Sequence, residues 1–159
     1  MPENTVAAPA KATANPLLWP FITLEALATK FLPPWLLLII ARLGMANVFW
    51  MSGRTKVEGF LTVKDSTFYL FENEYHVPLL PPDVAAYVST YAEHIFPILL
   101  VLGLFTRFTA LGMIVMTLVI QLFVLPMGWP VHLLWAAPLL ILVRYGAGPV
   151  SLDRVLKIP

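Results

Sequence analysis

Cysteine is absent from the 159 residues of this chain, and charged residues are scarce. Without cysteine, the chain cannot form disulfides, thiolate metal sites, iron–sulfur clusters or covalently attached c-type haem. Charged residues make up 12% of the chain, about half of the roughly 25% found in soluble domains. There is also no stripe of basic residues of the kind that binds nucleic acid. These absences argue against a soluble domain, thiol chemistry and a nucleic-acid partner.

Apolar residues are abundant instead, at 59% of the chain, and they are concentrated in long runs. A bilayer core about 30 Å thick is crossed by about 20 helical residues. Four segments approach this length, at about 35–51, 84–105, 107–125 and 130–145. Because the last three are joined by very short turns, they must be antiparallel neighbours. The sequence therefore predicts an all-α integral membrane protein with an up-down four-helix bundle.

The segments outside the four spans differ from them in composition. Residues 1–15 are polar and rich in alanine and proline, which predicts a disordered N-terminal tail. Residues 16–32 have apolar side chains at helical spacing but also carry charges, which favours an interfacial helix on the membrane surface. The connection Ser52–Pro82 holds charges and aromatic patches, so we expect one long structured loop over the end of the bundle. Residues 16–159 are thus predicted to form a single membrane domain.

The distribution of lysine and arginine predicts the orientation of the chain. With four spans, both termini lie on one side of the membrane. Basic residues on that side are Lys11, Lys30, Arg107, Arg144, Arg154 and Lys157; those on the other are Arg54, Lys56 and Lys64. Under the positive-inside rule, this difference predicts cytoplasmic termini. Arg54 and Lys56, at the end of the first span, are interpreted most simply as anchors at the membrane interface.

Two opposite charges, Arg42 and Glu93, interrupt two of the apolar runs. Arg42 lies nine residues before Met51, and Glu93 lies ten residues after Asp83, so helical rise puts both about 14–15 Å from the same face. An ionised side chain without a partner is costly at that depth. We therefore predict a buried Arg42–Glu93 ion pair near the midplane. The pattern leaves open whether the pair clamps the bundle or takes part in a relay.

Other polar side chains are candidates for lining a pocket or relaying protons. They are Lys56, Tyr91, His94, Thr117, Gln121 and His132. Gln121 and His132 lie at similar depths, about 5–6 Å from the ends of their spans, so we expect them to meet near the outer face. A packing role stays open for both histidines, and their different depths disfavour a bis-histidine haem. No metal site is predicted, and the catalytic residues, if any, are not identified.

Small and polar residues recur along one face of the third span. This stripe consists of Thr106, Ala110, Met113, Thr117 and Gln121. Faces of this kind pack against other helices rather than against lipid. We therefore expect all five side chains to be buried.

Several motifs, in this order and spacing, resemble those of the DoxX family of small bacterial membrane proteins. The run ARLGMANVFWMSGRTKVEGF contains Arg42 and a pattern S-G-x-x-K. It is followed by Y-x-V-P-L-L-P-P, by the glutamate of the second span and by the turn L-G-L-x-T-R. The C-terminal GAGPVSLD is similar to the family pattern G-x-G-x-x-S-L-D. The resemblance covers roughly residues 35–157.

The resemblance implies a four-helix membrane fold in the bacterial inner membrane. It also implies an association with redox and oxidative-stress complexes, because one branch of the family resembles a subunit of a thiosulfate:quinone oxidoreductase. Arg42 and Glu93 correspond to family positions, but the family supplies no mechanism for them. No cofactor is expected to be intrinsic to the chain, and a quinone is the candidate ligand.

Three functions are consistent with these observations. The first is a membrane subunit of a redox or stress-related complex with protein partners and a quinone-sized pocket. The second is a carrier or channel for a small solute, formed by a homo-oligomer, which the buried charges and Pro97 inside the second span would suit. The third is a scaffold that holds a soluble partner through the loop Ser52–Pro82 or through the termini on the inner side. Whether the chain catalyses anything is left open, and the lipid bilayer is the expected surrounding in all three cases.

Overall fold

The computed structural model describes residues 15–75 and 77–158, and the chain divides into two compact units at Pro34. The predicted disordered tail, residues 1–15, falls almost wholly outside the described residues. In the first unit, a short 3₁₀ turn, Pro16–Leu18, leads into helix α1, Trp19–Phe31. A proline in its first turn suits the helix start, and none of its residues is buried. The predicted helix is thus present, while its position on the membrane surface stays a prediction.

The second unit contains the long apolar helices. They are α2, Pro34–Thr55; α4, Pro82–Leu102; and α5, Thr106–Val119, which a π-helical turn continues through Ile120–Val124. Within the described part of the chain, these three helices are long and apolar enough to cross a membrane. Helix α6, Trp129–Tyr145, is apolar but shorter, at 17 residues. A last short helix, α7, spans Leu152–Val155.

One shared core holds α2, α4, α5 and α6 together. Its buried members are Met45, Ala46, Phe49, Leu100, Ala110, Met113, Leu139 and Leu142. All five residues of the predicted stripe on the third span are buried, which confirms that this face packs against other helices. Burial of apolar area contributes about 25 cal/mol per Å² in water, but in lipid close packing and polar contacts between helices replace that driving force.

The ends of the first two spans differ from the predicted ones by up to four residues. The first span does not stop before Ser52 but continues to Thr55. Gly53 is needed inside the helix because a Cβ there would lie 2.8 Å from His94 Cε1, on α4. The second span begins at Pro82 rather than at about residue 84, and it ends at Leu102 rather than at about residue 105.

The connection between α2 and α4 contains elements that the sequence did not reveal. Strands β1, Val57–Glu58, and β2, Thr62–Val63, form a small antiparallel hairpin. Helix α3, Asp65–Asn73, follows and packs Phe71 against alanines at the start of α4. Helix α3 therefore packs against the start of α4.

Arg42 joins the end of α4 to the C-terminal segment. Its guanidinium donates to the carbonyls of Leu100, at 2.8 Å, and Val101, at 2.5 Å, in the last turn of α4. It also donates to the carbonyls of Ala147, at 3.2 Å, and Val150, at 2.7 Å. Carbonyls at a helix C-terminus lack intrahelical donors and carry partial negative charge. Arg42 therefore makes its direct hydrogen bonds to backbone carbonyls, and the carboxylate of Asp153 also acts on its charge.

Asp153 makes the complementary contact at the start of α5. Its carboxylate accepts hydrogen bonds from the backbone N–H groups of Phe105, at 2.7 Å, and Thr106, at 3.0 Å. An anion is favourable at a helix N-terminus because the free N–H groups and the helix dipole point towards it. The carbonyl of Gly103, in the α4–α5 turn, also accepts a hydrogen bond from Asp153 N at 2.8 Å. The C-terminal pattern G-x-G-x-x-S-L-D thus holds the C-terminal segment against this turn.

Replacing Arg42 by methionine should lower the free energy of unfolding by about 3 kcal/mol or more, because each buried acceptor left unsatisfied costs about 1–3 kcal/mol. Four buried or half-buried carbonyls would lose their donor. Unfolding in mixed micelles, followed by circular dichroism, measures the loss. Arg144→Met is the matched control, because Arg144 is exposed and should cost less than about 0.5 kcal/mol. Equal losses in the two variants would contradict this role for Arg42.

Candidate functional site

A buried ion pair joins the end of α2 to the middle of α4. Glu93 is 1% exposed, and Lys56 Nζ lies 2.6 Å from its Oε2 and 2.9 Å from its Oε1. Ser52 Oγ donates to Glu93 Oε1 at 3.2 Å and accepts from Lys56 Nζ at 3.2 Å. All three N–H donors of the lysine therefore have acceptors. Such complete pairing is what makes burial of two charges tolerable.

The pattern S-G-x-x-K explains how α2 brings these groups together. Ser52 and Lys56 are four residues apart, so they lie on one face of the helix end. Between them, Gly53 removes the side chain that would otherwise hold α4 away, since a Cβ there would lie 3.1 Å from Glu93 Cβ. The motif therefore supplies a donor pair and the space in which the carboxylate sits.

The predicted Arg42–Glu93 ion pair is wrong. Arg42 is level with Leu100 and Val101, seven and eight residues beyond Glu93, which is about 10–12 Å along the helix. The depth calculation began at Met51, but α2 runs on to Thr55, so Arg42 lies deeper than calculated. Lys56, interpreted as an interface anchor, takes the place beside Glu93.

An elongated cavity of about 720 Å³ opens beside this ion pair. Ser52, Lys56, Ser89 and Glu93 form its polar part, and Tyr75 lies at the end where α3 connects to α4. The rest of the lining is almost entirely apolar. Known ligand pockets of about 300–1,000 Å³ combine apolar walls with a few polar groups in the same way. The cavity thus has the size and polarity of a site for a lipophilic ligand with a polar head.

One face of α5 forms the long wall of the cavity. The lining residues on this helix and its π turn are Phe108, Leu111, Gly112, Val115, Met116, Val119, Ile120 and Val124. From Phe108 to Val124 this face extends for sixteen residues, or about 24 Å. On α4, Phe96 lies against Gly112, where a Cβ would come within 2.9 Å of the ring. The shape is that of a groove suited to a chain rather than a compact solute.

Tyr75 gives the cavity a neutral hydrogen-bonding group. Its burial, together with the nearby carboxylates of Glu74 and Glu93, raises the pKa of the Tyr75 phenol above its usual range. The phenol therefore keeps its proton at physiological pH. Because the protonated form is favoured in the folded protein, the stabilising effect is lost as the pH rises through this raised pKa.

His94 and Tyr91 lie on α4 away from the cavity lining. His94 Nδ1 donates to the carbonyl of Thr90 at 2.7 Å, and its ring packs edge-on against Trp50, with centroids 5.1 Å apart. Its Nε2 has no hydrogen-bond partner among the described residues. Tyr91 is exposed and stacks on Tyr87. These contacts fit packing, and a relay role for either residue stays a prediction.

Gln121 and His132 meet, as their depths predicted. Gln121 Nε2 donates to the carbonyl of Pro126 at 2.6 Å, which orients the amide, and its Oε1 lies 2.6 Å from His132 Nδ1. They join the π turn of α5 to the start of α6. Thr117, also a candidate, donates to the carbonyl of Met113 at 2.8 Å. None of the three lines the cavity, and a relay role for them stays a prediction.

Comparison with known proteins places these features in a family. The sequence model of the DoxX family matches residues 37–126, which include Arg42, Lys56, Glu93 and most of the cavity. The chain belongs to the DoxX family. An uncharacterized protein of Haemophilus influenzae is 33% identical over 131 residues, which is 76% of this chain and 83% of the relative. No solved structure matches. Together with its long apolar helices, DoxX membership makes this chain a membrane protein, in contact with the lipid bilayer.

Three polar residues of the cavity, Ser52, Tyr75 and Ser89, were not among the candidates chosen from the sequence. Ser52 and Tyr75 lie in motifs that resemble those of the DoxX family, S-G-x-x-K and Y-x-V-P-L-L-P-P, whereas Ser89 lies on α4, one turn before Glu93. The positions of Ser52 and Tyr75 in those motifs were the available signal. The apolar lining had no such signal, because it is assembled from three separate segments.

Replacing Lys56 by methionine should lower the free energy of unfolding by about 3–5 kcal/mol, because it leaves the buried Glu93 carboxylate without its cation. Chemical unfolding in micelles measures the loss. Lys64→Met is the control, since Lys64 Nζ, in the same connection, contacts a single carbonyl, that of Thr55, at 2.9 Å. If both variants were equally stable, the Lys56–Glu93 contact would contribute nothing.

Proposed function

We propose that this protein is a membrane subunit that binds an isoprenoid quinone in the cavity between α4, α5 and the α3–α4 connection. The supporting observation is the combination of a long apolar groove with one ion pair and a serine at its side. A quinone carbonyl accepts hydrogen bonds. The Ser52 hydroxyl can donate one by turning away from Glu93 Oε1, because Lys56 Nζ still binds both oxygens of that carboxylate. A quinol hydroxyl donates, and the Glu93 carboxylate can accept. Ser52, Lys56 and Glu93 together therefore suit both the quinone and the quinol form of the ligand.

The groove suits the tail of such a ligand. The apolar face of α5 continues past the ion pair in both directions, so a ring beside Glu93 leaves about 10 Å of wall towards Phe108 for isoprenoid units. The chain has no cysteine, so we propose that a partner protein supplies or removes the electrons. This agrees with the redox complexes that the DoxX resemblance implies.

The proposed setting is the bacterial inner membrane. We propose that α6 is the fourth span of an up-down bundle, because short turns join it to α5, and aromatic residues, Trp129 and Tyr145, stand at its two ends. Both termini would then be cytoplasmic under the positive-inside rule. This orientation puts the α2–α4 connection and the end of the cavity at Tyr75 on the periplasmic side.

The test uses the protein purified from native membranes, with extraction and quantification of bound quinone. Leu111→Trp should lower bound quinone about tenfold, because overpacking of a filled site costs about 1–3 kcal/mol. Leu118→Trp is a matched control: the two leucines are 50% and 49% exposed on the same helix, but only Leu111 lines the cavity. Absence of quinone from the wild type, or equal loss in both variants, would refute the proposal.

A further inference from the structure

Asn47 is a polar side chain in the middle of the apolar surface of α2. It lies thirteen residues after Pro34 and eight before Thr55, and it is exposed. Its neighbours on this surface, Leu43 and Met51, are exposed apolar residues. The described residues provide no hydrogen-bond partner for its amide. In lipid, which cannot hydrogen-bond, such a group is destabilising by itself.

The surface next to Asn47 has space for another helix. A groove of about 340 Å³ runs between α2 and α4, lined on α2 by Leu43, Ala46, Asn47 and Trp50. Gly44 is exposed, and no atom lies within 4 Å of where its Cβ would be. A glycine and an amide on one face are the features that let membrane helices approach closely and hydrogen-bond to each other.

We infer that α2 packs against α2 of a second copy of this chain, with the two Asn47 amides hydrogen-bonded across a twofold axis. A carboxamide has both a donor and an acceptor, so two copies related by a twofold axis satisfy each other. Lipid cannot do so. A different protein would need its own amide at the same depth, whereas a second copy provides it by symmetry.

This interface is independent of the proposed quinone site. The groove at Asn47 and the cavity at Glu93 share no lining residue. A dimer through α2 therefore leaves the cavity open. Failure of either proposal would not decide the other.

The natural absence of cysteine allows a direct test by single introduced thiols. Ile40→Cys, Leu43→Cys, Gly44→Cys and Met51→Cys are each oxidised in native membranes, and dimers are counted on non-reducing gels. All four positions are three, four or seven residues from Asn47 and lie on the face of α2 that carries it, so we expect cross-linking at each of them. Leu118→Cys, equally exposed but on α5, should give little dimer. Equal cross-linking at position 118, or none at any α2 position, would overturn the inference.

The amide itself is tested in the α2 variant that cross-links best. Asn47→Leu should reduce the rate of cross-linking about three- to tenfold, the range expected from hydrogen bonds between membrane helices. Asn47→Gln keeps the amide and should retain most of the cross-linking. Because position 47 is exposed, neither change disturbs the core. An unchanged rate in Asn47→Leu would show that the amide does not hold the two copies together.

Discussion

The carboxylate of Glu93 is buried among apolar helices, and Lys56 is the residue that makes this burial tolerable. Removing a charge from water costs several kcal/mol, which is recovered only when a partner of opposite charge is held in good geometry. The backbone of Lys56 is itself fixed: its N–H bonds to Gly53 at 3.0 Å, and its carbonyl accepts from Lys64 N at 3.0 Å and Thr67 Oγ1 at 2.9 Å. The end of α2, the hairpin and α3 thus all position one ammonium group.

The shape of the cavity depends on this arrangement. Lys56 and Ser52 hold the end of α2 against α4, while Phe71 of α3 packs on the first turn of α4. The apolar faces of α4 and α5 then remain as the open groove. At the other end of α4, Arg42 and Asp153 bind backbone groups at the helix ends. Lys56 and Glu93 thus form an ion pair beside the cavity. Arg42 and Asp153 instead bind the helix ends at the α4–α5 turn.

Much of the fold could be predicted from hydropathy. Three of the four predicted spans are helices long and apolar enough to cross a membrane, and the buried stripe on α5 and the contact of Gln121 with His132 followed from helical spacing. These predictions use only the 1.5 Å rise and 3.6-residue period of the helix, which do not depend on the rest of the structure. The hairpin was missed because two-residue strands leave no periodic pattern.

The site was harder to predict for two physical reasons. The Ser52-Gly53 pair was taken as the end of α2, although tertiary contact with α4 keeps the chain helical to Thr55. Because the depth of Arg42 was counted from Met51 and not from Thr55, Arg42 was placed at the depth of Glu93. Glu93 was therefore assigned the wrong partner. The cavity, in turn, is formed by segments distant in sequence, and its lining residues are ordinary membrane-facing apolar residues until the helices pack.

A pair of double-mutant cycles tests the central claim that Glu93 is paired with Lys56 and not with Arg42. Unfolding free energies are measured for Lys56→Met, Arg42→Met and Glu93→Leu alone, and for each cation variant combined with Glu93→Leu. Residues in contact typically show coupling energies of about 0.5–3 kcal/mol, whereas distant ones add within about 0.3–0.5 kcal/mol. The structure predicts clear coupling for Lys56 with Glu93 and additivity for Arg42 with Glu93. Additive losses for Lys56 and Glu93, or stronger coupling of Glu93 to Arg42, would contradict the account.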